Sequence, residues 1–325
     1  MEKIKFLTMA ALATAFFASC SNEDGLPQSN YPADNVVRIT TSVDGMNTRA
    51  SYGGSTAKLS SFGFCINNAG SDKYTYDNIK VTQENGKWNP ATQMLWQNST
   101  TAVDILAYAP YQANGNVKIF GKSDYAFSVK ADQSNAEDYS SDLIVYKQTG
   151  FTPGTELNTS KAVEVSFTHL LSQLNLTIEL RDQFNQDEKN PVTAGFVTDV
   201  KVNGAIISSK VDFSASPISV QVDDTQEATA ITPETTEFKA AGKTTDHAAF
   251  NYSAIVIPQT VTAGNFSISF KVDGTDYIWT STSDVNFVSG KKHQLSLLVG
   301  KDVVQVKGIT ATPWGKENIS QGETD

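Results

Sequence analysis

"KAVEVSFTHLLSQLNLTIEL", residues 161–180, is the stretch on which the fold turns. It opens a run of long, strongly apolar strands that continues to the end of the chain. Within it "THLLSQL" is the best helical candidate anywhere in the sequence, yet it stays within about two turns, short of the ~10 residues a helix needs to announce itself. Strand is therefore the better reading, and a chain without helices must bury its apolar faces sheet against sheet.

Working outward, period-two patterns separated by turn residues dominate both flanks. Val37, Ile39, Thr41 and Val43 share a face of the first strand, and Phe62, Phe64 and Ile66 a face of the next clear one. "TAVDILAYAPY" alternates Val103, Ile105, Ala107 and Ala109, and Pro110 ends it. Asn85-Gly86, Asn203-Gly204 and Asp273-Gly274 each sit between strand-like pieces, where paired positive φ angles favour a hairpin. Residues 112–162 are loop-rich with short strands. These features predict an all-β chain of two tandem β-sandwich domains, 36–160 and 161–325. A chain of 325 residues accommodates two domains of ordinary size.

The N-terminus carries Lys3 and Lys5 and then an apolar run, 7–19, too short to cross a bilayer, so residues 1–19 read as an export signal. "FASC" at 17–20 resembles the lipobox of bacterial lipoproteins, with Phe17 where leucine is usual. The resemblance implies cleavage before Cys20 and acylation of that cysteine. "SNEDG" then resembles the acidic tags of surface-exposed Bacteroidetes lipoproteins. Residues 20–35, with Gly25, Pro27 and Pro32, read as a polar tether. The only other cysteine, Cys65, lies in "SFGFCIN" and reads as a small buried hydrophobe.

The formal net charge of -10 argues against a nucleic-acid partner. His169, His247 and His293 lack metal-ligand spacing, and His169 and His293 sit in apolar strand contexts. "GNVKIFGKS" lacks the glycine spacing and the following helix of a phosphate loop. Asp223-Asp224 lie in a polar loop. No nucleophile elbow occurs, and no cofactor is implied, so a non-enzyme is expected. Trp88, Trp96, Trp279 and Trp314 could form a glycan platform if exposed, but tryptophans on sandwich strands are more often core.

Several local patterns together resemble the fimbrillins of Bacteroidetes: "FASC", "NTRA" (47–50), "VSFTHLLSQLNLTIEL", "FVSGKKHQLSLLVG" (287–300) and a last strand ending in "TPW". The resemblance implies a pilus subunit of two Greek-key, transthyretin-like sandwiches, exported as an outer-membrane lipoprotein. It implies that an arginine-specific protease cuts between Arg49 and Ala50, removing a first strand at about Val36–Val43. A strand of another subunit then refills the groove. Here that donor is 303–314, offering Val304, Val306, Ile309 and Ala311, although Gly308 interrupts their alternation. Arginine occurs only at 38, 49 and 181, which leaves Arg49 as the loop candidate. Two other readings compete: a fimbrial anchor that keeps its lipid, and a surface glycan-binding lipoprotein of a polysaccharide-uptake system.

Overall fold

The computed structural model describes residues 30–43, 58–113, 118–184, 191–241 and 247–314. In chain order the strands are β1 (Ile39–Val43), β2 (Ser61–Asn67), β3 (Tyr76–Glu84), β4 (Lys87–Pro90), β5 (Val103–Ala109), β6 (Tyr125–Ser128) and β7 (Ile144–Phe151). There follow β8 (Val163–His169), β9 (Ser172–Leu180), β10 (Val197–Asn203), β11 (Ser208–Asp212), β12 (Ser219–Val222), β13 (Glu234–Lys239) and β14 (Ala248–Val256). The last six are β15 (Gln259–Val261), β16 (Ser267–Val272), β17 (Thr275–Thr280), β18 (Val285–Phe287), β19 (Lys291–Gly300) and β20 (Val303–Pro313). Helical structure among the described residues is confined to one turn at Pro153–Glu156 and short 3-10 turns. The all-β expectation holds, and the architecture fits a β-sandwich.

A seven-stranded sheet runs β1-β8-β7-β5-β2-β3-β4 and a five-stranded one β13-β14-β9-β19-β20. The 161–180 stretch divides between them. β8 buries Val163, Val165 and Phe167 in the first sheet, whereas β9 buries Leu174, Leu176, Ile178 and Leu180 in the second. "THLLSQL" is the corner between the two strands, not a helix. Its apolar residues follow the strand period on either side of Leu170-Leu171, where the chain changes sheet. The expected boundary near residue 160 lies ahead of β8, and the change of sheet lies behind it.

The first sheet curls round its core. Phe62, Phe64, Ile66, Ile105 and Phe167 fill the inside, and the gap between the sheet's two ends is bridged by backbone bonds: Val37 N–H donates to Met94 O at 3.0 Å and Trp96 N–H to Asn35 O at 2.8 Å. The sheet's other face carries Cys65, Leu106, Tyr108 and Val145 into the second core. One sheet is thus the wall between two cores, and "FGFCI" in β2 is buried on both faces. Cys65 is the buried hydrophobe expected; desolvation pushes its thiol well above the usual range.

The second core lies between the five-stranded sheet and a three-stranded one, β10-β16-β17. The hairpins at Asn85-Gly86 (β3–β4) and Asp273-Gly274 (β16–β17) form as expected, with both central residues at positive φ. Asn203-Gly204 does not make a hairpin. β10 pairs with β16, and β11 pairs with β12 and with the distant β6. With these partners Val202 and Val211 are both fully buried.

β7 is pinned to this half by Lys147, whose ammonium donates to Phe213 O (2.8 Å), Ser214 O (2.9 Å) and Ala215 O (2.7 Å). Lys147→Met keeps the stem and removes the donor. It is expected to lower unfolding free energy by about 2 kcal/mol, the usual scale for hydrogen bonds to a charged group. Urea titration checks this, and an unchanged midpoint would show the three carbonyls to be satisfied otherwise.

Candidate functional site: two sheet edges

Both strands singled out by the sequence lie at the edge of a sheet. Among the described residues β1 pairs on one side only, parallel to β8, from Ile39 opposite Val163 to Val43 opposite Phe167. Its alternation drives Val37, Ile39 and Val43 into the first core, as the period-two reading predicts. Outside, Ser42 Oγ donates to Ser166 Oγ at 3.0 Å and Asn158 Nδ2 to Thr40 Oγ1 at 3.0 Å. Three buried aliphatic side chains at roughly 1.5–3 kcal/mol each hold the strand in place, together with one ladder. Taking an edge strand away leaves the rest of the sheet paired, but it bares the far edge of β8 and uncovers that core.

β20 is the opposite case. Among the described residues it pairs with β19 alone, and its side chains are mostly exposed. Of five exposed large hydrophobic residues among the described ones, three lie on it, so apolar exposure concentrates there: Val303 (44%), Val306 (46%) and Ile309 (43%). The register explains how Gly308 can interrupt the alternation without spoiling it. Val304 stands opposite Val299 and Val306 opposite Leu297; then the register shifts, and Gly308 stands opposite Ser296, Ile309 opposite Leu295 and Ala311 opposite His293. Directly opposed residues point to the same face. Leu295, Leu297 and Val299 are buried, so the irregularity at Lys307 brings Val304, Val306, Ile309 and Ala311 all to the apolar face of the sheet. On the other face Lys307 pairs with Glu179 and Arg181 donates to Gln305.

The strand's C-terminal end is anchored differently. Trp314 is 3% exposed, its ring lies parallel to that of His169 at 4.0 Å, and its backbone N–H donates to Gly290 O at 2.9 Å. His169, the last residue of β8, is held through Nδ1 by Asp142 Oδ1 at 2.9 Å. His293 is also buried; its Nε2 accepts from Val288 N–H at 3.0 Å, and desolvation lowers its pKa. Their apolar strand contexts fit either core or edge residues, and the structure buries both histidines.

Cys20, Arg49 and Ala50 lie outside the described residues. The other two arginines are engaged. Arg38 precedes β1 rather than lying within it, and its guanidinium grips Asp34 through two bonds, holding that carboxyl down to about 2. Arg181 is half-buried beside β20. Trp96 is buried against Phe151, and Trp88 and Trp279 are half-buried against Phe62 and Phe266, so the tryptophans make no exposed platform. The Asp142–His169–Trp314 contact joins residues far apart in the chain, and no local sequence pattern signals it.

The fimbrillin-like family model matches residues 48–314. No curated protein matches the chain. Among solved structures, a candidate cell adhesion protein of Bacteroides ovatus superposes with a TM-score of 0.61 at 13% identity, covering 88% of this chain and 100% of its own. One from Bacteroides uniformis gives 0.55 at 19% identity, with 87% and 99% covered. A fimbrial protein of Bacteroides vulgatus gives 0.51 at 17%, with 85% and 99% covered. At these identities the likeness is one of fold.

Proposed function

The chain belongs to the fimbrillin-like family, and from that premise we propose that it is a structural subunit of a surface fimbria, assembled by strand exchange and serving adhesion. It is exported, acylated at Cys20 and held at the outer membrane. An arginine-specific protease then cuts between Arg49 and Ala50, which releases the lipid tether and frees β1 together. β20 of a second subunit fills the opened groove beside β8, placing Val304, Val306, Ile309 and Ala311 where Val37, Ile39, Thr41 and Val43 had been.

The observation that carries this reading is the state of β20: an edge strand with one apolar face, underused in its own subunit. Burying four such side chains contributes roughly 1.5–3 kcal/mol each before the entropy of association is subtracted. Backbone pairing along β8 adds register and slow dissociation. The glycan-binding alternative loses support from the packing of the four tryptophans, and Arg49 speaks against a lipid-retaining anchor.

N-terminal sequencing of subunits from isolated fimbriae tests the processing step. Chains beginning at Ala50 are expected. Polymer whose subunits still begin at the acylated Cys20 would overturn it.

A further inference from the structure

We infer that Trp314 is a latch that sets how long β20 stays on its own subunit. Its consequence for assembly rests on the reading of β20 as the exchanged strand; the latch itself does not. Along its length β20 holds to the body by one ladder, by the Lys307–Glu179 and Arg181–Gln305 contacts on its outer face, and by apolar side chains that remain 43–46% exposed at Val303, Val306 and Ile309. The large buried side chain belongs to Trp314, the residue just past its end. Trp314 lies flat on His169 at 4.0 Å with 2° between the ring planes. Its backbone N–H reaches Gly290 O, and Gly290 N–H in turn reaches Leu171 O at 2.9 Å, so the turn before β19 is clamped between the chain's corner and its last described residue. The seat is fixed, because Asp142 holds the imidazole through Nδ1 and both side chains of that pair are almost wholly buried.

The contact is also made to be broken. His169 Nε2 and Trp314 Nε1 are both enclosed without a hydrogen-bond partner among the described residues. Shape and stacking hold the ring, while both nitrogens regain hydrogen bonds to water when it leaves. Since His169 ends β8, the latch also sits at the junction of the strand that donates and the strand whose edge β1 covers.

Amide hydrogen exchange on the uncleaved, full-length protein tests the latch without any assembly. Trp314→Ala is expected to speed exchange across β20 by ~10-fold or more, with β9 and β14 within ~2-fold of wild type, because a local opening becomes easier while the global one does not. Trp314→Phe, which keeps a flat ring on His169, should restore most of the protection. Wild-type protection of β20 in Trp314→Ala would overturn the inference. If Trp314→Ala loosens β9 and β14 as well, Trp314→Leu decides, since it keeps bulk and loses the flat ring: β20 alone exchanging faster upholds the latch, and unchanged protection refutes it. In cleaved protein the same variants should begin filaments sooner. Faster β20 exchange with unaltered filament growth would uphold the latch and count against the donor role.

Discussion

A chain carrying both Val306→Glu and Ile309→Glu is expected to fold almost normally and to fail in assembly by ~1000-fold or more, since each tenfold needs only about 1.4 kcal/mol. In the subunit both positions are nearly half exposed on an edge strand. Surface substitutions of this kind usually stay within about 0.5 kcal/mol each, and charge on a free edge is a device natural sheets use against unwanted pairing. In the groove left by β1 the same side chains would face Phe62, Phe64 and Phe167. A carboxylate forced there without a partner costs several kcal/mol after relaxation, and two of them exceed the three decades stated. Urea unfolding of the variant and electron microscopy of fimbriae give the two readouts. Normal filaments would refute the donor face. A large loss of subunit stability would show that β20 is already buried in a way its exposure denies.

The second large effect is Gly204→Ala, expected to remove about 3 kcal/mol or more. Gly204 has φ of 93°, which by itself costs a side-chain-bearing residue about 1–2 kcal/mol. A Cβ placed there would lie 2.1 Å from Asn265 O and 2.8 Å from Asn265 C. Both are backbone atoms, and the next residue, Phe266, is buried in the second core and leads into β16. The neighbour cannot step aside without dragging the strand that pairs with β10, and overpacking of that kind adds roughly 1–3 kcal/mol. Gly86→Ala is the control. Its φ is 74° but nothing lies within 4 Å of the new methyl, so only the conformational penalty of about 1 kcal/mol applies. Thermal or urea unfolding of the pair checks this; equal losses would show that the close approach to Asn265 is relieved by a small shift.

That contrast marks a limit of sequence reading. Asn85-Gly86 and Asn203-Gly204 look alike in the chain, and the same rule predicts a hairpin at each. One rule works where neighbouring strands are each other's best partners. It fails where β10 finds β16, sixty-odd residues on, and β11 finds β6. Turn chemistry specifies which φ angles are tolerated, and says nothing about which distant strand offers the larger apolar face. β20 shows the limit from another side. Its apolar residues are visible in the sequence, but their common face depends on a register shift beside Lys307 that only pairing with β19 reveals.

By itself the sequence determined the strand periodicity, the two tight hairpins, the core role of Cys65, and the family resemblance. All of these rest on local patterns or on residue types whose preferences travel with them. Tertiary structure alone decided that residues 161–180 split at Leu170-Leu171 between two sheets, and that β1 and β20 are edge strands of different sheets. It also decided that Trp314 closes the chain onto His169. The physical reason is range. A side chain's period fixes the face it buries, whereas an edge or a parallel partner is set by competition among segments more than a hundred residues apart, as β1 and β8 are.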